Sequence, residues 1–463
     1  MHTSDEDVSA LLAQWAADVG PDEIPLAVRA HAKTCLIDTI GVAIAGSQSD
    51  VAGFVRALCT DGGAQGSSTV FGTSRLFSAH AAAFANATAA HAFDFDDNCY
   101  AGFVHGSAVI APSALAVGQK MNATGADLIT AFVIGSECEY AVGAASKNVL
   151  YEHGWWTTGV LGPIGASMAA ARLLRLDVAK THAALGLAVA GSGGLKACFG
   201  SDAKVLLAGR ASEAGVICAE LAYRGASGPE HPIEGQNGFV NLFNDGTFDR
   251  SSVAAIGRHW YLETPGVDIK RIPVCLSSHA AVDAVSDLVA THRIAVTDIA
   301  AIVCDVPPIV RANLKYDMPR TVREAQFSMP FAIAAILRFG TLDLSRLNSE
   351  SLRDEALAAL MTRVTMQTGA MWEAPDMSVR APEGAHVRIA LRDGSHVEAF
   401  RDKARGSAAY PLTASQLAQK FLDCAAPVLG DRRAAHWLAD LERLDSPVPL
   451  GDLLLDTGAS GSQ

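Results

Sequence analysis

Apolar side chains recur every three or four positions along most of the first 260 residues, which is the period of helices. Leu11, Leu12 and Trp15 share one face of a predicted helix over 7–20. Pro25 can open the next helix at its first turn, where a missing N–H costs nothing. That helix carries Val28, Cys35, Leu36, Ile40 and Ile44 and stops at Gly46. Asp50 precedes a third, with Val51, Phe54, Val55 and Leu58 in step. The run from Ser78 to Ala92 is rich in alanine, free of proline, and spaces Phe84, Ala87, Thr88 and His91 as a helix does. Thr124-Gly125-Ala126-Asp127 is a capping-box-like start leading into Leu128, Ile129, Phe132, Val133, Cys138 and Tyr140. Segments 159–175, 178–190 and 205–224 repeat the same small, apolar pattern.

The period changes after Pro265. Residues 300–306 read as a strand ending before Pro307-Pro308. Val387, Ile389 and Leu391 alternate with Arg388, Ala390 and Arg392, and Asp393-Gly394 turns the chain into a second strand over 396–400. Helices are predicted at about 324–338 and 349–362. Thr413-Ala414-Ser415-Gln416 is another capping box, followed by Leu417, Phe421 and Leu422 on one face and later by Trp437, Leu438 and Leu441. The expected fold is therefore mostly α. A large all-α domain spans 1–265, with 403–463 packing back on it, and a smaller α+β domain spans 266–402. The Gly/Ser-rich tail from Asp456 is expected to fray.

Composition narrows the function. A chain of 463 residues with 50% hydrophobic and 18% charged residues has ample material for large cores. Its net charge of -13 argues against nucleic acid or an anionic membrane as a general partner, so positive charge for an anionic substrate must be local. No apolar stretch approaches the ~18–20 uninterrupted residues of a membrane span. The nine cysteines form no Cys-x-x-Cys pair, which argues against zinc or iron–sulfur ligation; scattered thiols fit a reducing compartment. The acidic start, Met1 to Asp7, shows no targeting pattern, and a cytoplasmic location is expected.

Candidate chemistry concentrates at His91-Ala92-Phe93-Asp94-Phe95-Asp96-Asp97-Asn98, followed by His105-Gly106-Ser107. A helix that delivers three carboxylates and hands over to a loop with a histidine is a sensible acid/base site. Taken alone, such aspartates are more often caps and a lone histidine more often structural. Adjacent carboxylates can also hold Mg²⁺. Lys204 precedes a small-residue helix containing Gly209-Arg210-Ala211. Lys270-Arg271 stands at the predicted domain junction, ahead of Cys275 and Ser277-Ser278-His279, and junctions are where clefts form. The Tyr316 phenol can donate or take a proton if buried. Gly191-Ser192-Gly193-Gly194 lacks the spacing of a dinucleotide fingerprint and reads as a close backbone approach.

Taken together and in this order, the His91–Asp97 and His105-Gly106-Ser107 motifs, Gly200–Ala211, Lys270-Arg271-Ile272-Pro273, Tyr316-Asp317-Met318-Pro319, Glu324–Pro330 and Lys420–Cys424 resemble the MmgE/PrpD family. Members include 2-methylcitrate dehydratases, cis-aconitate decarboxylases and iminodisuccinate epimerases. The resemblance implies a site in the cleft between the two domains, a homodimer, and catalysis without metal or organic cofactor. It also implies a pocket with Asp94, Asn98, His105, Lys204, Lys270 and Tyr316. In such a pocket the lysines pair with substrate carboxylates and stabilise enolate-like charge. His105 moves the proton, Asp94 orients His105 or Lys204, and Tyr316 protonates a leaving hydroxyl or a carbanion.

The chain also departs from the family. Trp156 and Leu207 stand where histidine is common, and Cys275 where the decarboxylases have a further histidine. His153 is a weak substitute. Asn98, Trp156, Arg271 and Cys275 are expected to touch a small carboxylate substrate with fewer carboxylates or an apolar substituent. The expected activity is a cofactor-independent lyase, hydrating or dehydrating a hydroxy-polycarboxylate. The alternatives are an epimerase, consistent with the 11-residue step from Asp94 to His105, a decarboxylase, and a non-catalytic binding protein.

Overall fold

The computed structural model describes residues 7–453, so the tail from Asp456 lies outside the described residues. The first helices are Val8–Asp18, Leu26–Gly46 and Asp50–Asp61. Pro25 stands one position before its helix rather than in the first turn. Ser49 caps the third helix by accepting from the Ala52 amide.

Helix Thr157–Leu173 runs through the middle of the body, packed by Gly106–Lys120, Gly125–Ala145 and Asp202–Tyr223. Small residues let these helices approach. A Cβ on Gly135 would stand 2.5 Å from the Gly165 carbonyl oxygen, which only glycine tolerates. Gly125–Ala145 is long and apolar enough to cross a membrane, but 94% of its apolar window is buried inside the protein, as a core helix requires. The core of this body extends from Val8 to Ile269 and takes in Leu417, Phe421, Trp437 and Leu441. The late helices Ala414–Leu429 and Asp431–Glu442 therefore pack on the body, the first of them along Leu26–Gly46.

A second core runs from Ile272 to Ile389. Its sheet has four strands in the order Val364–Gln367, Ile299–Asp305, Ala385–Leu391, His396–Arg401. The first pair is parallel and the others antiparallel. Gly394 turns the hairpin at φ +88°. Helices His279–His292 and Met329–Phe339 pack against the sheet. The helix expected at 324–338 is split into Val322–Ala325 and Met329–Phe339. Pro330 has no N–H for a continuous ladder, and Ser328 caps the restart through the Phe331 amide. The helix expected at 349–362 is reduced to Ser351–Arg353 and Glu355–Met361, with Asp354 capping the second.

One short ladder positions the site. Asn98–Cys99 pairs antiparallel with Val267–Asp268, with Asn98 opposite Asp268. This draws the segment that carries Lys270 against the acidic loop. Strands of two residues have no periodic signal, so the hydrophobic pattern does not announce them.

Candidate active site

Helix Ala79–His91 is buried on every side and ends where the acidic loop begins. Asp94 follows in the left-handed region, at φ +51°, a conformation uncommon outside glycine, though aspartate tolerates it better than most residues. There its buried carboxylate meets two lysines. Oδ1 accepts from Lys204 Nζ at 2.5 Å and Oδ2 from Lys270 Nζ at 2.8 Å. Lys270 also donates to the Asp94 carbonyl oxygen at 2.7 Å. Burial alone would raise the Asp94 pKa; the two ammonium groups outweigh it and hold the carboxyl far below the usual range. Burial likewise disfavours charge on Lys270, but Asp94 and Asp96 reverse the effect and raise its pKa.

His91 connects this ion cluster to the next. Its Nε2 lies 2.7 Å from Lys204 Nζ, and its Nδ1 lies 2.8 Å from Asp96 Oδ2. A carboxylate only accepts and an ammonium only donates, so the ring is neutral with its proton on Nδ1. Burial first, and Lys204 in addition, lower its pKa to about 4 against the pull of Asp96. Lys204 thus commits one N–H to Asp94 and one to His91, and the third remains for the cavity it lines.

His105 sits at the start of helix Gly106–Lys120. Its Nδ1 donates to the Asp97 carbonyl oxygen at 2.9 Å and lies 3.3 Å from Asp96 Oδ2. A carbonyl can only accept, so Nδ1 carries a proton, and in the neutral ring the Nε2 lone pair is left for the cavity. The same bond weighs against a metal at His91, Asp96 and His105, whose ligand atoms cluster together. While Nδ1 of His105 carries the proton it donates to the Asp97 carbonyl, it has no lone pair to offer.

The cavity has about 400 Å³ of empty space, counting its mouth. Of the residues expected at the site, Asp94, Asn98, His105, Trp156, Lys204 and Cys275 line it. Trp156 is buried with its ring 5.5 Å from that of His91, and its amide donates to Gly194 O at 3.1 Å. The glycine run over 191–194 is thus the close backbone approach. A Cβ on Gly159 would come 2.8 Å from Gly193 O. Burial and Asp94 push the Cys275 thiol up to about 11 and keep it neutral.

Other expected residues stand elsewhere. Lys270 lies behind Asp94, fully buried, and does not reach the cavity wall. Tyr316 packs against the cluster of Trp156, Phe199 and Phe327, with its hydroxyl 3.4 Å from Phe199 O. Arg271 turns away: its guanidinium pairs with Asp283 and borders a separate groove. His153 is exposed, 3.5 Å from Asp245. Asp94 orients Lys204, whereas His105 is held by Asp97 and Asp96. The wall also contains Phe103, Tyr151, Phe199, Asn313, Phe327 and Glu383, which the sequence did not single out. His91 is the other omission, although it opens the motif itself.

The MmgE/PrpD N-terminal domain matches residues 10–251 and the MmgE/PrpD C-terminal domain residues 272–443. The chain belongs to the MmgE/PrpD family. It is similar to the cis-aconitate decarboxylase-like protein oryM of Aspergillus oryzae, 25% identical over 485 residues that cover 100% of this chain and 97% of the relative. Human cis-aconitate decarboxylase is 26% identical over 405 residues, 84% of this chain and 82% of the relative. The Aspergillus terreus enzyme is 24% identical over 474 residues, 96% of each. These relatives support lyase chemistry at the level of the family.

Proposed function

We propose that this member is a lyase that removes water from, or adds it to, a hydroxy-carboxylate, through proton transfer at the carbon beside a carboxylate. The observation that supports it most is that His105 Nε2 and the spare N–H of Lys204 open onto one small cavity. His105 takes the proton from carbon. Lys204, fixed by Asp94 and His91, binds the neighbouring carboxylate and stabilises the enolate-like charge that develops. Lys270 keeps Asp94 ionised and in place. The walls formed by Phe103, Trp156, Phe199, Leu276 and Phe327, with Lys204 the one cation among the described lining residues, favour a substrate with few carboxylates and an apolar substituent. Binding 2-methylcitrate as tightly as any smaller acid would overturn that preference. The homodimer implied by the family is part of this proposal, to be checked by solution mass.

Decarboxylation is the second reading, favoured by the full-length similarity to cis-aconitate decarboxylases. There the C–C bond breaks, CO₂ leaves, and an imidazolium at position 105 returns a proton to carbon. The test is to incubate the protein with a panel of hydroxy- and unsaturated di- and tricarboxylates in D₂O. Ultraviolet absorbance from a new conjugated acid supports the lyase that eliminates water. CO₂ release supports the decarboxylase, and deuterium exchange without net loss supports an isomerase. Saturable binding without any of these overturns the enzyme reading.

A further inference from the structure

Part of the cavity wall comes from the second domain, and its one carboxylate is Glu383, in the Pro382-Glu383-Gly384 bend before strand Ala385–Leu391. Glu383 is 8% exposed. Its Oε2 accepts from the Tyr100 hydroxyl at 2.8 Å and its Oε1 from the Ser277 hydroxyl. Ser277 in turn accepts from Asn313 Nδ2 at 3.1 Å, and Asn313 Oδ1 accepts from the Tyr151 hydroxyl at 2.6 Å. Among the described residues, the partners bonded to Glu383 are hydroxyls and none is a cation. Lys270 and His105 act on it from farther away, while Asp268, Tyr100 and Cys275 carry or can acquire negative charge nearby. Burial dominates and raises its carboxyl above the ordinary glutamate range.

The reaction proposed above needs a second proton-carrying group. His105 accounts for the C–H bond, but a hydroxyl leaves easily only once it is protonated. The Tyr316 phenol stands behind the aromatic cluster, off the wall. Resting on the lyase reading, we propose that Glu383 is the general acid that protonates the leaving hydroxyl, with Ser277 and Tyr100 as its positioning residues. His105 Nε2 first takes the carbon-bound proton, and the C–H pair is held as an enolate facing Lys204; that pair then becomes the new C=C bond. The C–O bond breaks with its electrons on oxygen, and that oxygen takes the Glu383 proton and departs as water. The imidazolium then loses its proton to solvent, and the Glu383 carboxylate regains one. Hydration runs the same steps backwards.

Two measurements test this. The first needs no substrate: infrared difference spectra of the wild type against Glu383→Gln, followed from pH 4 to pH 8. A protonated-carboxyl band missing from the variant is expected; identical spectra overturn the proposal. The second compares elimination with solvent deuterium exchange at the acidic carbon. Glu383→Gln should lower elimination by about 10²–10⁴-fold and leave exchange within about threefold. Unchanged elimination, or equal loss of both in a folded variant, overturns the acid role. If the Gln variant fails to fold, Tyr100→Phe replaces it. Removing a donor to the carboxylate should raise its pKa and move the alkaline limb of kcat upward; an unmoved limb counts against Glu383. A wild type that eliminates water from no acid in the panel overturns the lyase reading and the acid role together. The infrared difference then tells that case apart from failure of Glu383 alone.

Discussion

Replacing Asp94 by Asn changes charge and almost nothing of shape. In the folded protein Asp94 is the carboxylate bonded to both Lys204 and Lys270, and Lys270 is fully buried. The amide would leave two ammonium groups facing each other with no anion between them. Breaking a buried pair from one side costs about 3–5 kcal/mol, because the remaining charge is stranded. His91 still accepts from Lys204, so most of the cost falls on Lys270. For a chain of this size, at about 2 °C per kcal/mol, the melting temperature should drop by about 6–10 °C near pH 7. The pH dependence carries the sharper test. In the wild type the Lys270 pKa is raised, so its contribution is complete below the unfolded lysine range and is lost only as pH climbs past it. In the variant, burial without a partner lowers that pKa, and the penalty disappears once Lys270 can deprotonate. The gap between the two proteins should therefore be widest near neutrality and narrow toward pH 10. Calorimetric melts from pH 6 to pH 10 measure it. The double variant Asp94→Asn/Lys270→Met should recover part of the loss, since no stranded charge remains at that point. A variant that melts with the wild type at pH 7, or a deficit that stays constant to pH 10, would refute the electrostatic account of Lys270.

His105→Gln should lower turnover by about 10²–10⁴-fold in steady-state assays while the melting temperature stays near that of the wild type, since the ring borders a cavity rather than filling a core. Arg271→Ala should leave kcat/KM within about threefold, because its guanidinium faces Asp283 and not the cavity. A larger loss in kinetics would return Arg271 to the site. Glu137 accepts from the Tyr261 and Leu262 amides, and burial pushes its carboxyl up to about 8. A raised pKa means stability present below pH 4.5 and lost as pH rises toward 8, at up to about 1.4 kcal/mol per pH unit. Thermal melts of Glu137→Gln should therefore gain on the wild type from pH 5 to pH 8, and parallel curves would sink that assignment. Trp156→His should improve turnover of tricarboxylates relative to smaller acids by on the order of 10-fold in competition assays; no change would mean the Trp ring does not set substrate size.

The fold was legible where burial leaves a period. Helix Ala79–His91 and its neighbours are small and apolar on every face because they are enclosed on every face. The hairpin was legible because Asp393-Gly394 needs the positive φ that glycine supplies. The split at Pro330 was obscured by the unbroken apolar run around it. Within the site, His105, Lys204 and Asp94 were legible from motif and resemblance, but their partners were not. Lys270 lies 176 residues from Asp94, and the ladder between Asn98–Cys99 and Val267–Asp268 brings their segments side by side. Arg271 was misplaced because adjacency in sequence fixes no shared direction: Lys270 reaches Asp94 while its neighbour reaches Asp283. Glu383 follows a proline in a turn, with no periodicity to single it out.

In the reaction proposed above, the two acids that begin this site serve opposite ends. Asp94 is claimed by cations, and Asp96 lies between two imidazoles. With His91 neutral, the charges of Asp94, Asp96, Lys204 and Lys270 cancel among themselves. Proton transfer then creates one new charge of each sign. The anion forms on the substrate, where Lys204 still has an N–H to give. The cation forms on His105, whose Nδ1 already lies 3.3 Å from Asp96. Each developing charge thus meets a group of opposite sign fixed before the reaction begins, which is the condition under which buried electrostatics lower a barrier rather than merely tighten binding. Exchanging the two partners' positions would bring lysine to the imidazolium and aspartate to the enolate, and the same four charges would then oppose the reaction.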